Sequence, residues 1–298
     1  MKEKQPKTSL KKDYRRTTFL MSIPGTVFYC FFFIFPVCLG FYYSLTDWNG
    51  VAKTRNIVGF QNYINAFQDK RFIKAILFNL RFTVLYVVGI LVLATIIAFL
   101  LNANIKGRTV FRALYFLPAL FSGVTVSMIF NQIFFRVIPA FGEATGIEFL
   151  KTSLVSSKQT AIYAVLIVCL WMSLPMQSIL ILAGLQTIPQ DLIDAAKIDG
   201  ANKAQVFHYI TIPHLLPTLS VVMVLAVKGG LMVFDQIKVL TNGGPNNATR
   251  SVSILIYNDA FQNNRFASAM AEAIIIGVLI AVISYVQLKI SSKRSVNA

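Results

Sequence analysis

Six long apolar runs dominate the chain, and they constrain its fold more than any other feature. A helix needs ~20 mainly apolar residues to cross ~30 Å of hydrocarbon. Runs of that length occur at about 19–45, 75–101, 110–134, 161–185, 215–240 and 267–290. Each is too long for a sheet strand. The composition agrees, with 56% of the 298 residues hydrophobic and 13% charged, against about 25% charged in soluble domains. This argues against a soluble enzyme. The expectation is an all-α polytopic membrane protein with six transmembrane helices over 19–290, a basic tail over 1–18 and a short tail over 291–298.

The remaining charge is lopsided, 28 Lys and Arg against 12 Asp and Glu, a net +16. Such a balance fits nucleic acid or an anionic membrane face. Nucleic-acid binders gather their cations on a polar, soluble face, whereas most of the 25 Phe here lie in the apolar runs, so the membrane is preferred. Cys30, Cys38 and Cys169 sit inside those runs as small hydrophobes, with neither metal spacing nor a disulfide framework. A signal peptide would explain a basic tail before the first run, but that run exceeds a 7–15 residue core and no small-residue cleavage site follows.

Lys and Arg near span ends set orientation. Lys2, Lys4, Lys7, Lys11, Lys12, Arg15 and Arg16 precede the first span against Glu3 and Asp13, which places the N-terminus in the cytoplasm. Six spans return Lys289, Lys293 and Arg294 to the same side, with the loop holding Lys106, Arg108 and Arg112. Lys53, Arg55, Lys70, Arg71 and Lys74 fall on the other side and reduce the bias. The basic tail reads as a solvated arm, or as a contact to anionic lipid at ~1 kcal/mol per residue.

The longest cytoplasmic loop, 187–214, does not look like a linker. Thr187 and Gln190 are spaced as a capping box, Pro189 falls in the first turn, and Asp191 and Asp194 favour the positive helix end. Leu192, Ala195, Ala196 and Ile193 form an apolar, small-residue stripe until Gly200 supplies a helix stop. A second short helix resumes after Asn202, carries Phe207 and Ile210, and ends near Pro213 before Pro217 opens the next span. An amphipathic helix on lipid headgroups is one reading. Two alanines insert little apolar area, however, and Asp191, Asp194 and Asp199 would be repelled by anionic lipid. Docking against another protein fits better.

Several motifs then occur in one order. The loop carries D-A-A from Asp194, Gly200 six residues beyond, and I-x-x-P through Ile210 and Pro213. Around it stand SLTDWNG at 44–50, VGFQNY at 58–63, FRALYFLP at 111–118, LAGLQTIP at 182–189 and VFDQIKVLTNGGPNNAT at 233–249. The series resembles ABC importer permeases of the binding-protein-dependent carbohydrate branch, and the loop resembles their EAA loop. The resemblance covers about 20–288. It implies a type I importer fold with a coupling helix over 190–200 between spans four and five, docked in a cytoplasmic ATPase. The ATPase-coupling residues would be Asp191, Asp194, Ala195, Ala196, Asp199, Gly200 and Phe207. Asp194 stands where the family usually has Glu, one methylene longer. The chain has no G-x-x-x-x-G-K-[ST], so the nucleotide must bind elsewhere; the resemblance implies a transport subunit that is not an enzyme and holds no cofactor, with ATP and Mg bound by the partner ATPase. The implied partners are a second, homologous permease in a heterodimer, an ABC ATPase dimer, an extracellular solute-binding protein, a carbohydrate and membrane lipid, without nucleic acid. The location is a bacterial cell membrane.

A charge near the bilayer centre costs at least ~2.5–3.5 kcal/mol, which makes it a functional candidate. Lys228 falls near the middle of span five, with Asp235 two turns on along the same face and Gly229 and Gly230 beside it. Two readings fit Lys228: a line into the solute pathway, or pairing with a carboxylate in a neighbouring helix or the partner permease. Met232 lies between Lys228 and Asp235, and Trp171 and Met172 adjoin Pro175, so these three complete the candidate pathway. Trp171 suits a sugar face as well as ordinary packing. Glu272 is placed to snorkel or to pair with Arg265, and Arg81 has a structural role. Pro118 in span three and Pro175 in span four mark bends. Trp48 and Tyr63 anchor the outer interface. Asn247 begins an N-x-T sequon that the outer-loop motif explains, and His208 and His214 have no ligand partners at metal spacing. An oligosaccharide leads as solute; a sugar acid or glycerol phosphate ester would suit Lys228. A secondary transporter or channel working without ATP is the rival, and a receptor or scaffold that docks through the loop is a third class.

Overall fold

The computed structural model describes residues 9–103 and 107–295. Lys2, Glu3, Lys4, Lys7 and Lys106, and residues 296–298 of the C-terminal tail, lie outside the described residues. The described residues are mostly helical, with one isolated antiparallel bridge, Thr46 to Ile57, among them. Six helical stretches there are long and apolar enough to cross a membrane: Thr17–Ser44, Lys70–Asn102, Gly123–Thr145, Ala161–Gln186, Lys203–Leu240 and Phe266–Gln287.

The third of these departs from expectation. The apolar stretch at 110–134 does not form one helix. It begins as α5 (Arg108–Phe116; α1–α4 are described below), passes through a 3-10 turn at Leu117–Leu120, and breaks at Phe121, whose backbone is extended. The span then starts at Gly123 with α6 (Gly123–Gln132) and runs through α7 (Ile138–Thr145). Pro118 therefore sits in the connection, not within the membrane helix. Hydropathy averaged over the run does not reveal the break, because apolar residues continue on both sides of it.

Chain contacts divide the molecule into two compact units. The first takes in the chain up to Ala66 together with Asp259–Ile274. It contains α1 (Ser9–Tyr29), α2 (Phe35–Ser44) and most of α3 (Gln61–Gln68). The tail read as a solvated arm is helical from Ser9. The SLTDWNG and VGFQNY motifs act here as fasteners. The Asn62 amide donates to the carbonyls of Ser44 at 2.8 Å and Thr46 at 2.7 Å. The Tyr63 hydroxyl bonds Ser44 Oγ at 2.7 Å. Trp48 stacks on Tyr43 at 4.6 Å, meets Phe266 edge-on at 5.2 Å, and donates its indole N–H to the Ala52 carbonyl. Trp48 and Tyr63, both half-buried, are thus packed on neighbouring residues of this unit. Arg265 bonds the fully buried Asp259 at 3.1 Å, and Glu272, 1% exposed, does not snorkel.

The second unit is Phe67–Asn258 with Ile275–Ala298, and its core joins α4 (Lys70–Asn102), α8 (Ala161–Gln186) and α11 (Ile212–Leu231). One face of α4 is buried at Ala75, Asn79, Phe82, Tyr86, Ile90, Ala94 and Ala98, steps of three or four residues that follow the helical repeat. Leu77, Val84, Val88 and Val92 are exposed on the opposite side. With lipid as solvent both faces are apolar, and the packed one is distinguished by its alanines. The Asn79 amide donates to the Leu231 carbonyl at 2.6 Å, and its oxygen accepts from Val252 N at 3.0 Å, at the start of α13 (Val252–Phe261).

Pro213 does not end a helix. The chain runs from α10 (Lys203–Val206) through a π-turn at Phe207–Thr211 into α11, with Pro213 second in that helix and Pro217 inside it. The same device appears twice more: π-turns at Cys30–Ile34 and Ile133–Val137 lie just before Pro36 and Pro139. A proline ring crowds the carbonyl four residues back and offers no N–H. Here that carbonyl belongs to Phe32, Phe135 or Tyr209, each the third residue of its π-turn. The wider turn accommodates the ring without ending the helix.

Candidate functional site

Two regions of the second unit carry the candidate residues, one at the Asn102 end of α4 and the start of α11, the other beside the middle of α4 and the end of α11. At one end Phe99 packs on Phe207 with ring centroids 5.5 Å apart; toward the other, Asn79 holds Leu231. The loop between α8 and α11 therefore lies at the far end of the bundle from Lys70.

That loop builds an exposed helix, α9 (Gln190–Ile198), with none of its residues buried. The expected capping box is absent. Thr187 keeps a near-helical backbone and donates its hydroxyl to the Gly184 carbonyl at 2.8 Å, closing α8, and meets His214 Nε2 at 3.2 Å. Pro189 takes the N-cap position and caps without a side chain. The stop at Gly200 is as expected, and its geometry is a Schellman motif. Gly200 adopts φ +84°, its N–H donates to the Lys197 carbonyl, and Ala201 N–H donates to the Ala196 carbonyl. Asp194 accepts from Lys197 Nζ at 2.9 Å and from Gln190 Nε2 at 3.1 Å. These partners, Lys197 first, hold its carboxyl below the ordinary 3.8. Asp191, Leu192, Ala195 and Asp199 are exposed on α9, and so is Ile198, at 86%; Ile193 and Ala196 are half-buried. Ile198 was missed because it falls outside the alanine stripe. The loop closes with the capping box Asn202–Gln205, where each side chain accepts from the other's backbone N–H.

The second region is a cavity of about 410 Å³ lined by Lys228, Met232, Asp235, Gln236, Tyr86 and Ser173, among others. Lys228 and Asp235 do share it, but not as two turns of one helix. α11 ends at Leu231, the chain crosses Met232–Phe234 without helical structure, and Asp235 opens α12 (Asp235–Leu240). Lys228 and Asp235 are exposed to the cavity, with no ion-pair partner within 4.0 Å among the described residues. The Tyr86 hydroxyl donates to Ser173 Oγ at 2.6 Å and Gln236 Nε2 lies 3.6 Å from Met172 Sδ. Trp171 is not on the lining: it packs edge-on against Phe130 at 5.5 Å. Tyr86, Ser173 and Gln236 escaped the sequence reading because each is a lone neutral polar residue in an apolar run. Arg81 lines a separate cleft with Lys158, Gln159 and Tyr163.

A six-span helical molecule with an exposed, glycine-terminated helix and a polar cavity among its helices has the features expected of a membrane subunit of a transport system. The model of the binding-protein-dependent transport system inner membrane component matches residues 90–296, and the chain belongs to that family. It is 46% identical over 265 residues to the multiple sugar-binding transport system permease protein MsmF of Streptococcus mutans, covering 89% of this chain and 91% of that one. It is 34% identical to the probable starch degradation products transport system permease protein AmyD of Thermoanaerobacterium thermosulfurigenes, covering 88% and 89%. It is 32% identical to the trehalose/maltose transport system permease protein MalF of Thermococcus litoralis, covering 96% and 97%. The fold matches a chain of a bacterial ABC transporter involved in import of the acidic polysaccharide alginate, with TM-score 0.81 and 22% identity over 95% of this chain and 98% of that one.

Proposed function

We propose that the chain is the permease subunit of an ATP-driven importer that moves an oligosaccharide delivered by a solute-binding protein. It pairs with a second, homologous permease, and α9 seats in a cytoplasmic ATPase. The ATPase binds ATP and Mg and does the hydrolysis; this chain contributes coupling, shape and polar contacts, and no cofactor. Both termini and the 187–214 loop face the cytoplasm of a bacterial cell.

The observation that carries the reading is the exposed face of α9. A helix with Asp191, Leu192, Ala195, Ile198 and Asp199 open to solvent, closed by a Schellman turn and rooted between two membrane helices, is built to transmit a push. Lipid does not suit it, because acidic and apolar groups share the face. The cavity supports a polyhydroxylated solute. Its ammonium, carboxylate, amide and hydroxyls all bond sugar hydroxyls, and its volume falls within the ~300–1,000 Å³ range of ligand pockets. The names of the three relatives, all for sugars or starch products, point the same way.

The test is copurification and ATPase activity of the reconstituted complex, with and without binding protein and candidate glycans. Wild type should retain the ATPase and be stimulated; Asp194→Lys with Gly200→Pro should lose both, since proline cannot adopt φ +84°. Solute flux with no ATPase bound, indifferent to the loop variant, would sink the assignment.

A further inference from the structure

The end of the second unit remote from α9 carries an excess of cations that the transport cavity does not use. Lys70, Arg71 and Lys74 of α4 meet Asn246, Asn247 and Arg250 of the following outer loop around a cleft of about 200 Å³. Asp69, beside the cleft, is held by Arg71 at 2.7 Å. Lys70, Lys74 and Arg250 have no carboxylate within 4.0 Å among the described residues. Asn246 and Asn247 adopt φ +49° and +63°, and Arg250 is half-buried.

We infer that this cleft is a docking point for carboxylate side chains on the solute-binding protein. The inference rests on the importer reading and its orientation, which put the cleft on the outer face. Outer-loop cations oppose the positive-inside bias, yet three of the four cleft cations have no carboxylate partner within 4.0 Å among the described residues. At about 200 Å³ the cleft is below the range of pockets that enclose a small molecule, but it admits one or two carboxylates. It is also separate from the cavity: Lys74 is eight residues before Phe82 of the cavity lining, roughly 12 Å along the helix. A partner that must dock and leave each cycle is well served by such charges, which raise the association rate more than they lengthen residence.

The experiment uses the complete transporter in phosphatidylcholine nanodiscs and the binding protein that stimulates its ATPase. Association is measured at low and high ionic strength for wild type, Lys70→Glu/Lys74→Glu/Arg250→Glu and the corresponding triple Gln variant. The Glu variant should bind about tenfold or more weakly, mainly through a slower association rate, with a flatter salt dependence. The Gln variant should fall between it and wild type, and ATPase activity without binding protein should be unchanged in both. Carbodiimide should join Lys70 or Lys74 of wild type to an Asp or Glu of the binding protein. Equal association and equal salt dependence in all three would overturn docking while leaving the importer reading intact. So would a loss seen only in discs containing phosphatidylglycerol, which assigns the cleft to lipid. Unchanged association with reduced flux of uronate-bearing solutes alone would assign it to solute. If no binding protein stimulates the wild-type complex, the importer reading fails and docking falls with it.

Discussion

Asp194 has its negative charge fixed by its neighbours. Lys197 and then Gln190 bond its carboxyl and hold it below the ordinary 3.8. A carboxyl whose folded value is depressed stabilises above the unfolded value and loses that contribution as pH falls through the folded one. The Lys197 lock is therefore complete at neutral pH and is lost only below about 3.8. Stimulated ATPase activity of the complex should show no step due to Asp194 between about pH 5 and 8, and a step in wild type that disappears in Asp194→Asn would refute this. At Lys228 the two open readings separate cleanly. If the ammonium bonds solute, Lys228→Met should raise the half-saturating solute concentration about tenfold, the worth of a charged hydrogen bond, with the melting temperature unchanged. If it pairs with the other permease, the complex should melt lower and the solute dependence should stay as it was. Lys228 and Asp235 were legible because a charge inside an apolar run stands out on cost alone. Tyr86, Ser173 and Gln236 were not, since a neutral hydroxyl or amide in such a run carries no comparable penalty and Tyr86 meets a partner 87 residues away.

Between elements, close approach of α4 and α11 depends on what is missing from a side chain. A Cβ on Gly230 would lie 2.9 Å from Thr83 Cα, which is backbone and cannot give way, whereas on Gly229 it would meet the Tyr86 ring at 3.3 Å. Gly230→Ala should therefore destabilise by about 1–3 kcal/mol through overpacking, and Gly229→Ala by less; thermal unfolding in detergent checks the order, and equal melting temperatures would contradict it. Asn79→Leu tests the polar counterpart. It leaves the Leu231 carbonyl and the Val252 N–H without their bonds, at about 1–3 kcal/mol for each buried group, and a variant melting with wild type would show that water replaces the amide. The number of spanning helices and most of their positions could be read from hydropathy, because length against bilayer thickness is a strong constraint. What could not be read is how a run is divided. The break at Phe121 and the interruption at Met232–Phe234 fall in runs that are apolar enough on average to read as single spans, although Pro118, Ser122 and Gly123 flank the first and Gly229, Gly230 and Asp235 the second, and Pro213 gives the usual signal of a helix end where a π-turn carries the helix past it.

For the whole molecule, the family motifs identified the chain while concealing what their residues do. SLTDWNG and VGFQNY turn out to fasten one another through Asn62 and Tyr63. LAGLQTIP contains Gly184, where a Cβ would stand 2.6 Å from Thr218 Oγ1. Such motifs record packing, and on the proposed mechanism that packing joins two working parts of one machine: α9 on one face of the membrane and the polar cavity along the path between faces. On the proposed mechanism these ends are linked, so the side from which the cavity is reached should change with the state of the ATPase. The background for testing this is simple, since Cys30, Cys38 and Cys169 are free thiols that can be replaced. In that background Met232→Cys places a thiol on the cavity wall, where Met232 is 53% exposed. A membrane-impermeant thiol reagent added from the cytoplasmic side should label it in the nucleotide-free complex and lose access when ATP is bound but not hydrolysed, while labelling from the opposite side rises. Asp194→Lys, by detaching α9, should abolish the exchange and leave the nucleotide-free labelling intact. An exchange driven by solute alone, indifferent to ATP and to Asp194, would instead describe a carrier that works without an ATPase, since a ligand shifts a conformational equilibrium only by its differential affinity for the two states.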